Sequence, residues 1–307
     1  MRNTVKIVLI AMVLTLAVSP LVAAQEDDGD LAGAGSVFQF GTDAHSLAMG
    51  GAYVAVADNY SATYWNPAGL AQKQGAKLGG MNLKPFNLSG LNYTYGGGSY
   101  TFDNFAVGGG YGRLSANLAE DNYAYNHTDE YGSYSENLMV GSLGFGIDLF
   151  DIGANVKSYS SEGNSGFGFD LGMLASFDSV KVGVAAADIG GVPLGNGNIE
   201  PAYRAGVAIP LMDVVLLSGQ FDMIGSDTIV RTGMEVKPLE QLALRGGLQL
   251  PSAEDMDLSL SAGAGLHLAG LTIDLAWVQN NTEFSGVAGS GDTLVLSAGF
   301  QFGGEEE

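Results

Sequence analysis

The sequence predicts an all-β fold: a transmembrane antiparallel β-barrel of about fourteen strands, with a small N-terminal plug inside its lumen. Three observations point there. The chain opens on an export-type segment. Its later stretches alternate apolar with small or polar residues over membrane-strand lengths. The links between those stretches alternate between short and longer.

The opening comes first. Arg2 and Lys6 form a positive start, Ile7 to Val18 is apolar apart from Thr15, and Ser19-Pro20 breaks the run before Val22-Ala23-Ala24. That run falls short of the roughly 20 residues of a spanning helix, so residues 1–24 read as a cleaved signal peptide. The predicted organisation is then 25–72 plug or hatch, 73–302 barrel and 303–307 short acidic tail. The predicted location is the outer membrane of a Gram-negative cell. Expected partners are outer-membrane lipid, lipopolysaccharide and the barrel-assembly machinery.

Composition narrows the class. The 307 residues include 47 Gly, 13 Tyr and 14 Phe but only 12 Lys+Arg, a balance that suits closely packed, lipid-facing strands better than a soluble α/β enzyme. With no Cys, disulfides, thiol nucleophiles and Cys-ligated metals are excluded. A net charge of -21 argues against nucleic acid as a partner.

The strands follow from period-2 patterning, because strand side chains point alternately to opposite faces. Leu242, Leu244, Leu248 and Leu250 oppose Ala243, Arg245, Gly247 and Gln249. Leu271, Ile273, Leu275 and Trp277 oppose Thr272, Asp274 and Ala276. The same holds for 166–177, 258–268 and 293–302. Further strands are predicted at 76–84, 89–101, 105–114, 135–149, 152–160, 180–188, 201–209, 214–222 and 228–237. Short links fall at Asp103-Asn104, Phe150-Asp151, Asp178-Ser179, Pro210 to Asp213, Pro238 to Glu240 and Ala269-Gly270. Longer ones fall at 115–134, 161–165, 189–200, 223–227, 251–257 and 280–292. Lipid offers backbone groups no hydrogen-bond partner, so such strands must close into a cylinder, apolar outside and charged inside. On this parity Arg204, Arg231, Glu235, Arg245, Asp274, Asp170 and Lys157 face the lumen. Phe102, Phe105, Phe150, Phe177 and Phe302 fall near the short links, where an aromatic girdle belongs.

Residues 33–72 break the pattern. Small side chains dominate, Ser61 to Trp65 suits one helical turn, and Asn66-Pro67 ends it because the residue before Pro avoids the α region. Three stretches carry a resemblance: Leu47-Ala48-Met49-Gly50-Gly51-Ala52-Tyr53, Ala57-Asp58, and Ala62-Thr63-Tyr64-Trp65-Asn66-Pro67-Ala68-Gly69-Leu70. Together they resemble the N-terminal signature of the FadL-like outer-membrane barrels, most closely the PorV/PorQ-type branch. Weaker similarity runs through Gly166 to Leu174, Asp188 to Leu194 and Leu239 to Gly247. The resemblance implies a fourteen-stranded barrel with an internal hatch that gates passage of hydrophobic molecules. It places that role on Asn66, Pro67 and Ala68, with Gly50 and Gly51 in the same hatch. The chain departs from the family in its short outer loops and in the Gly303-Gly304-Glu305-Glu306-Glu307 tail after Phe302.

No catalytic residues, cofactor or metal are predicted. His45, His127 and His267 are far apart, and Gly96-Gly97-Gly98 and Gly108-Gly109-Gly110 lack the Lys-Ser/Thr of a phosphate loop. The lumen candidates Arg231/Glu235 and Arg245/Asp274 either neutralise one another or hold a substrate carboxylate. Two functions remain: passive transport of hydrophobic or amphipathic small molecules, or a partner-binding barrel serving a secretion system.

Overall fold

The computed structural model describes residues 40–87, 90–117, 133–177, 179–195, 197–212, 214–251, 258–279 and 291–303. The predicted signal peptide 1–24, plug residues 25–39, the links 118–132, 252–257 and 280–290, and tail residues 304–307 lie outside them.

Fourteen strands form one closed antiparallel barrel, each paired with its neighbour in the chain. They are β1 (Gly75–Leu83), β2 (Leu91–Phe102), β3 (Phe105–Asn117), β4 (Ser133–Ile147), β5 (Phe150–Ser161), β6 (Asn164–Phe177), β7 (Val180–Ala187), β10 (Ala202–Leu211), β11 (Val215–Ile224), β12 (Asp227–Leu239), β13 (Leu242–Pro251), β14 (Ser259–Leu268), β15 (Leu271–Val278) and β16 (Thr293–Phe302). The cylinder closes where β1 pairs β16, from Ala76 opposite Phe302 to Leu83 opposite Val295. With no open edge, every wall strand has two hydrogen-bonding neighbours, as a spanning sheet requires.

The faces separate by parity. Leu294 and Leu296 of β16 are exposed while Val295 and Ser297 are buried; Phe167, Phe169 and Leu171 of β6 are exposed while Gly168 and Asp170 are buried. The outer surface is therefore the apolar belt of an outer-membrane type barrel, and ionisable side chains turn inward, apart from Arg113 near the C-terminal end of β3. Ala175 departs from this rule. Placed outward by its parity, it is nearly fully buried, a small side chain between Phe150 and Val182 on the neighbouring strands. Phe102, Phe105, Phe150 and Phe302 are exposed around one rim, the end where β1 begins and β16 finishes; Phe177 is half-buried there. We call this rim the turn end, and the opposite rim the loop end.

Four links differ from the sequence reading. The stretches 161–165 and 223–227 are not longer links: β5 and β6 are joined by Glu162-Gly163, and β11 and β12 by Gly225-Ser226. Polar residues at those strand ends read as loop, although backbone pairing runs on through them. Residues 189–200 contain a separate two-stranded hairpin, β8 (Val192–Leu194) with β9 (Gly197–Ile199), so β7 pairs directly with β10. The β4–β5 turn is Asp148-Leu149, not Phe150-Asp151.

Candidate functional site

Residues 43–72 lie inside the barrel. They meet the inward faces of strands all round it. Helix α1 (Ala44–Ala48) packs on β13 to β16, and the 3-10 segment Pro67–Gln72 packs on β2 to β6. Asp43 starts α1, its side chain accepting from Ser46 N at 2.8 Å, as an N-cap residue does. Met49-Gly50-Gly51 then reverses the chain. Gly50 and Gly51 have φ of 64° and 73°, the left-handed region that favours glycine. A short helix α2 (Ala62–Trp65) follows, and Asn66 stops it in extended conformation at φ -162°. The chain does not become a loop there. Asn66 caps the 3-10 segment that Pro67 opens, a continuation that the Asn-Pro pair does not advertise.

The wall meets this segment through glycines. A methyl group added at Gly233 would stand 2.6 Å from the Met49 carbonyl oxygen, and one at Gly263 would stand 2.5 Å from Ala48 Cβ. Gly247 similarly faces the Gly50 amide. Across the lumen, Gly153 faces the Pro67-Ala68 peptide, Gly172 the Asn66 side chain, and Gly183 the Val54 carbonyl. Wall and plug thus touch backbone to backbone, and at this level the bore is filled.

Polar groups fasten the contact. Gln220 Oε1 accepts from the amides of Tyr53 and Val54 at 2.8 and 2.7 Å. Ser261 Oγ accepts from Gly50 N and donates to Ala48 O, both at 3.0 Å. Asn66 Nδ2 donates to Val54 O at 2.9 Å and to Met173 O of β6 at 3.2 Å. Lys77 Nζ and Thr101 Oγ1 both donate to Leu70 O at 2.8 Å, and Asn155 Nδ2 donates to Thr63 O at 2.8 Å.

The predicted lumen residues fall into three groups. Arg245 Nε lies 2.6 Å from Glu235 and its Nη1 2.6 Å from Asp274, so these three form one buried ion cluster; His45 of α1 reaches Glu235 at 3.1 Å. Arg231 does not pair with Glu235. It pairs with Asp222 at 2.6 Å, on the next strand and opposite Arg204, and reaches Gly50 O at 3.2 Å. Arg204 stands over the rings of Tyr64 and Trp65, 5.3 and 5.6 Å from their centroids. The cluster that sequence reasoning did not assemble is Lys157 with Asp170 at 2.9 Å and Asp188 at 3.1 Å. Tyr159 Oη donates to Asp188 at 2.8 Å. The predicted strand 180–188 gave Asp188 the outward parity of Val180 and Val182, but β7 stops at Ala187 and Asp188, at φ 51°, turns into the lumen. At the turn end, burial would raise the Asp58 carboxyl, but Lys73 at 2.7 Å, with Lys181 beyond, holds it down at about 2.

Toward the loop end the lining changes character. Tyr93, Tyr95, Leu114, Leu138, Tyr159 and Val295 form one apolar cluster with Val192, Leu194 and Ile199 of the β8–β9 hairpin. A cavity of about 620 Å³ lies on the other side of the wall, lined by Leu217, Met234, Leu248, Leu260 and Trp277 of the lipid-facing surface. Its floor includes Gly233 and Gly247, which touch the plug from behind.

No family model and no curated protein matches the chain. Solved structures do. The TodX monoaromatic hydrocarbon channel deltaS2 mutant aligns with a TM-score of 0.67 at 13% identity, over 85% of this chain and 99% of that one. The CymD monoaromatic hydrocarbon channel aligns with a TM-score of 0.63 at 14% identity, over 86% and 98%. The Pseudomonas putida toluene transporter TodX aligns at 0.61 and 13% identity, over 85% and 98%. At such identities the likeness is one of architecture: the chain shares the closed barrel fold of these hydrocarbon channels.

Proposed function

We propose that this chain is a passive outer-membrane channel for hydrophobic or amphipathic small molecules, gated by residues 43–72 acting as a hatch. The observation that carries the reading is the wedged segment: it fills the bore, yet beyond its covalent run into β1 at Gly75 only hydrogen bonds, ion pairs and van der Waals contacts hold it to the wall. A ligand travelling along the axis needs it to shift. The shared fold with hydrocarbon channels supports the same reading. Gly50 and Gly51 would serve as the hinge-like turn, and Asn66, Pro67 and Ala68 as the clasp on β6. Arg231 and Arg245 are taken up by carboxylates, which favours a structural role for them over binding a substrate carboxylate. In this reading the turn end faces the periplasm, the apolar belt meets lipid and lipopolysaccharide, and the barrel-assembly machinery inserts the exported chain.

The test uses the natural absence of cysteine. Ala44→Cys with Ser297→Cys pins the hatch where Ser297 Oγ already meets Ala44 N at 3.1 Å. In vesicles, toluene uptake should fall to the protein-free rate when the pair is oxidised and recover on reduction. Uptake that ignores the crosslink would remove the gating claim.

A second reading, a secretion-accessory barrel of PorV/PorQ type, draws on the Met49 to Ala52 and Asn66 to Ala68 signature and on the tight turns at Glu162-Gly163 and Gly225-Ser226. It expects wild-type vesicles to take up toluene no faster than empty ones.

A further inference from the structure

We infer that the loop-end mouth holds a recognition site for hydrophobic organic cations, centred on Glu136; this deepens the transport reading and rests on it. Among the described residues, Glu136 Oε2 is the one buried carboxylate oxygen without a hydrogen-bond partner. Glu136 forms no ion pair, unlike Asp170, Asp188, Asp222, Glu235 and Asp274 deeper in the bore, each of which meets a lysine or arginine. Its other oxygen accepts from the Tyr134 hydroxyl, which in turn accepts from Ser161 Oγ at 3.2 Å.

The surroundings fit an ammonium on an apolar body. Glu136 is 7% exposed and lies opposite Leu114 and Ser161 on the flanking strands, one inward position from Leu138. Tyr134 and Ser161, toward the rim, are half-buried. A cation entering past Tyr134 would exchange water for a ring face and a carboxylate, while its apolar part meets the cluster around Leu114 and Leu138. An unpaired buried carboxylate is costly, and such a ligand supplies the missing charge.

A second observation has the same sign. Of the links joining strands at this end, 118–132, 252–257 and 280–292 contain Glu120, Asp121, Asp129, Glu130, Glu254, Asp255, Asp257, Glu283 and Asp292, without a single Lys or Arg. Lys84 is the one basic residue in any loop-end link. A field of one sign at an entrance concentrates ligands of the other and repels anions. Among the described residues Asp43, Lys77, Asp151 and Arg204 are also buried without an ion pair, but each is otherwise satisfied: Asp43 accepts from Ser46 N and Asn59 Nδ2, Lys77 donates to Leu70 O, Asp151 accepts from Gln72, and Arg204 stacks on two rings with Asp222 directly opposite on β11.

The experiment compares three probes of one size at pH 7 on the full barrel in a neutral detergent: 2-phenylethylammonium, 2-phenylethanol and phenylacetate. Calorimetry should give the ammonium a Kd at least tenfold below that of the alcohol, with phenylacetate weakest. Glu136→Gln should bring the ammonium within twofold of the alcohol and leave the alcohol unchanged. A wild-type barrel that binds ammonium and alcohol equally overturns the proposal, whether or not the variant folds. So does a preference that survives Glu136→Gln, since the loops alone would then supply it. If ammonium and alcohol bind equally, and vesicles carrying the barrel take up both at the same rate, the transport reading stands and this inference fails. If no probe binds and none is taken up, both fail.

Discussion

The two halves of the lumen are filled in opposite ways. Around residues 43–72 the wall offers glycines and paired charges, and main chain of that segment occupies the space. Near the loop end the wall supplies the filling itself, from Tyr93, Leu114, Leu138 and Tyr159. The difference teaches where each half gets its stability. A backbone plug depends on close approach and satisfied polar groups, and fails when either is disturbed. A side-chain plug depends on packing volume and tolerates loss of a group at the cost of a cavity.

Four substitutions sharpen this contrast. The largest effect is expected from Arg245→Ala, which leaves Glu235 and Asp274 buried without their shared cation and should cost about 3–5 kcal/mol in urea unfolding. Replacing all three by uncharged residues of similar size should restore most of the loss; an equal loss in the triple variant would assign the cost to packing. Leu138→Ala in the mouth should cost about 2–5 kcal/mol through the cavity left behind, without exposing the hatch to protease. Gly247→Val pushes a side chain into the Gly50 amide and should cost about 1–3 kcal/mol, here with faster cleavage inside residues 43–72. Unchanged protection in that variant would contradict backbone-to-backbone seating.

The smallest effect concerns Asp58 and Lys73 at the turn end. The folded carboxyl is held at about 2, below its ordinary value, so the pair's contribution is complete above about pH 4 and is lost as pH falls toward 2. Lys73 is 46% exposed, so that contribution stays below about 1 kcal/mol. Hydrogen exchange at the Lys73 and Gln74 amides should be insensitive to the pair between pH 8 and 5. Protection relative to the intrinsic exchange rate should then fall in acid, and Asp58→Asn should abolish that fall.

The barrel was legible because lipid enforces parity on ionised groups, with Arg113 near the loop end of β3 the outward exception. Leu271, Ile273 and Leu275 against Asp274 read correctly from spacing alone. What stayed hidden obeys no period. Val192, Leu194 and Ile199 belong to three-residue strands around Pro193 and Gly195, too short to alternate visibly. Glycines stood out in the composition. Which of them face the plug depends on register, so Gly153, Gly172 and Gly247 became a set only in three dimensions. Ion-pair choice failed for a similar reason: Arg231 sits four residues from Glu235 on one strand, while Asp222 reaches it from the next.

Ionic conductance of single barrels in a planar bilayer tests the filled lumen most directly. The wild-type chain should show no steady ohmic current, and removal of residues 40–66 should open one. A stable open-pore conductance from the intact chain would contradict the account.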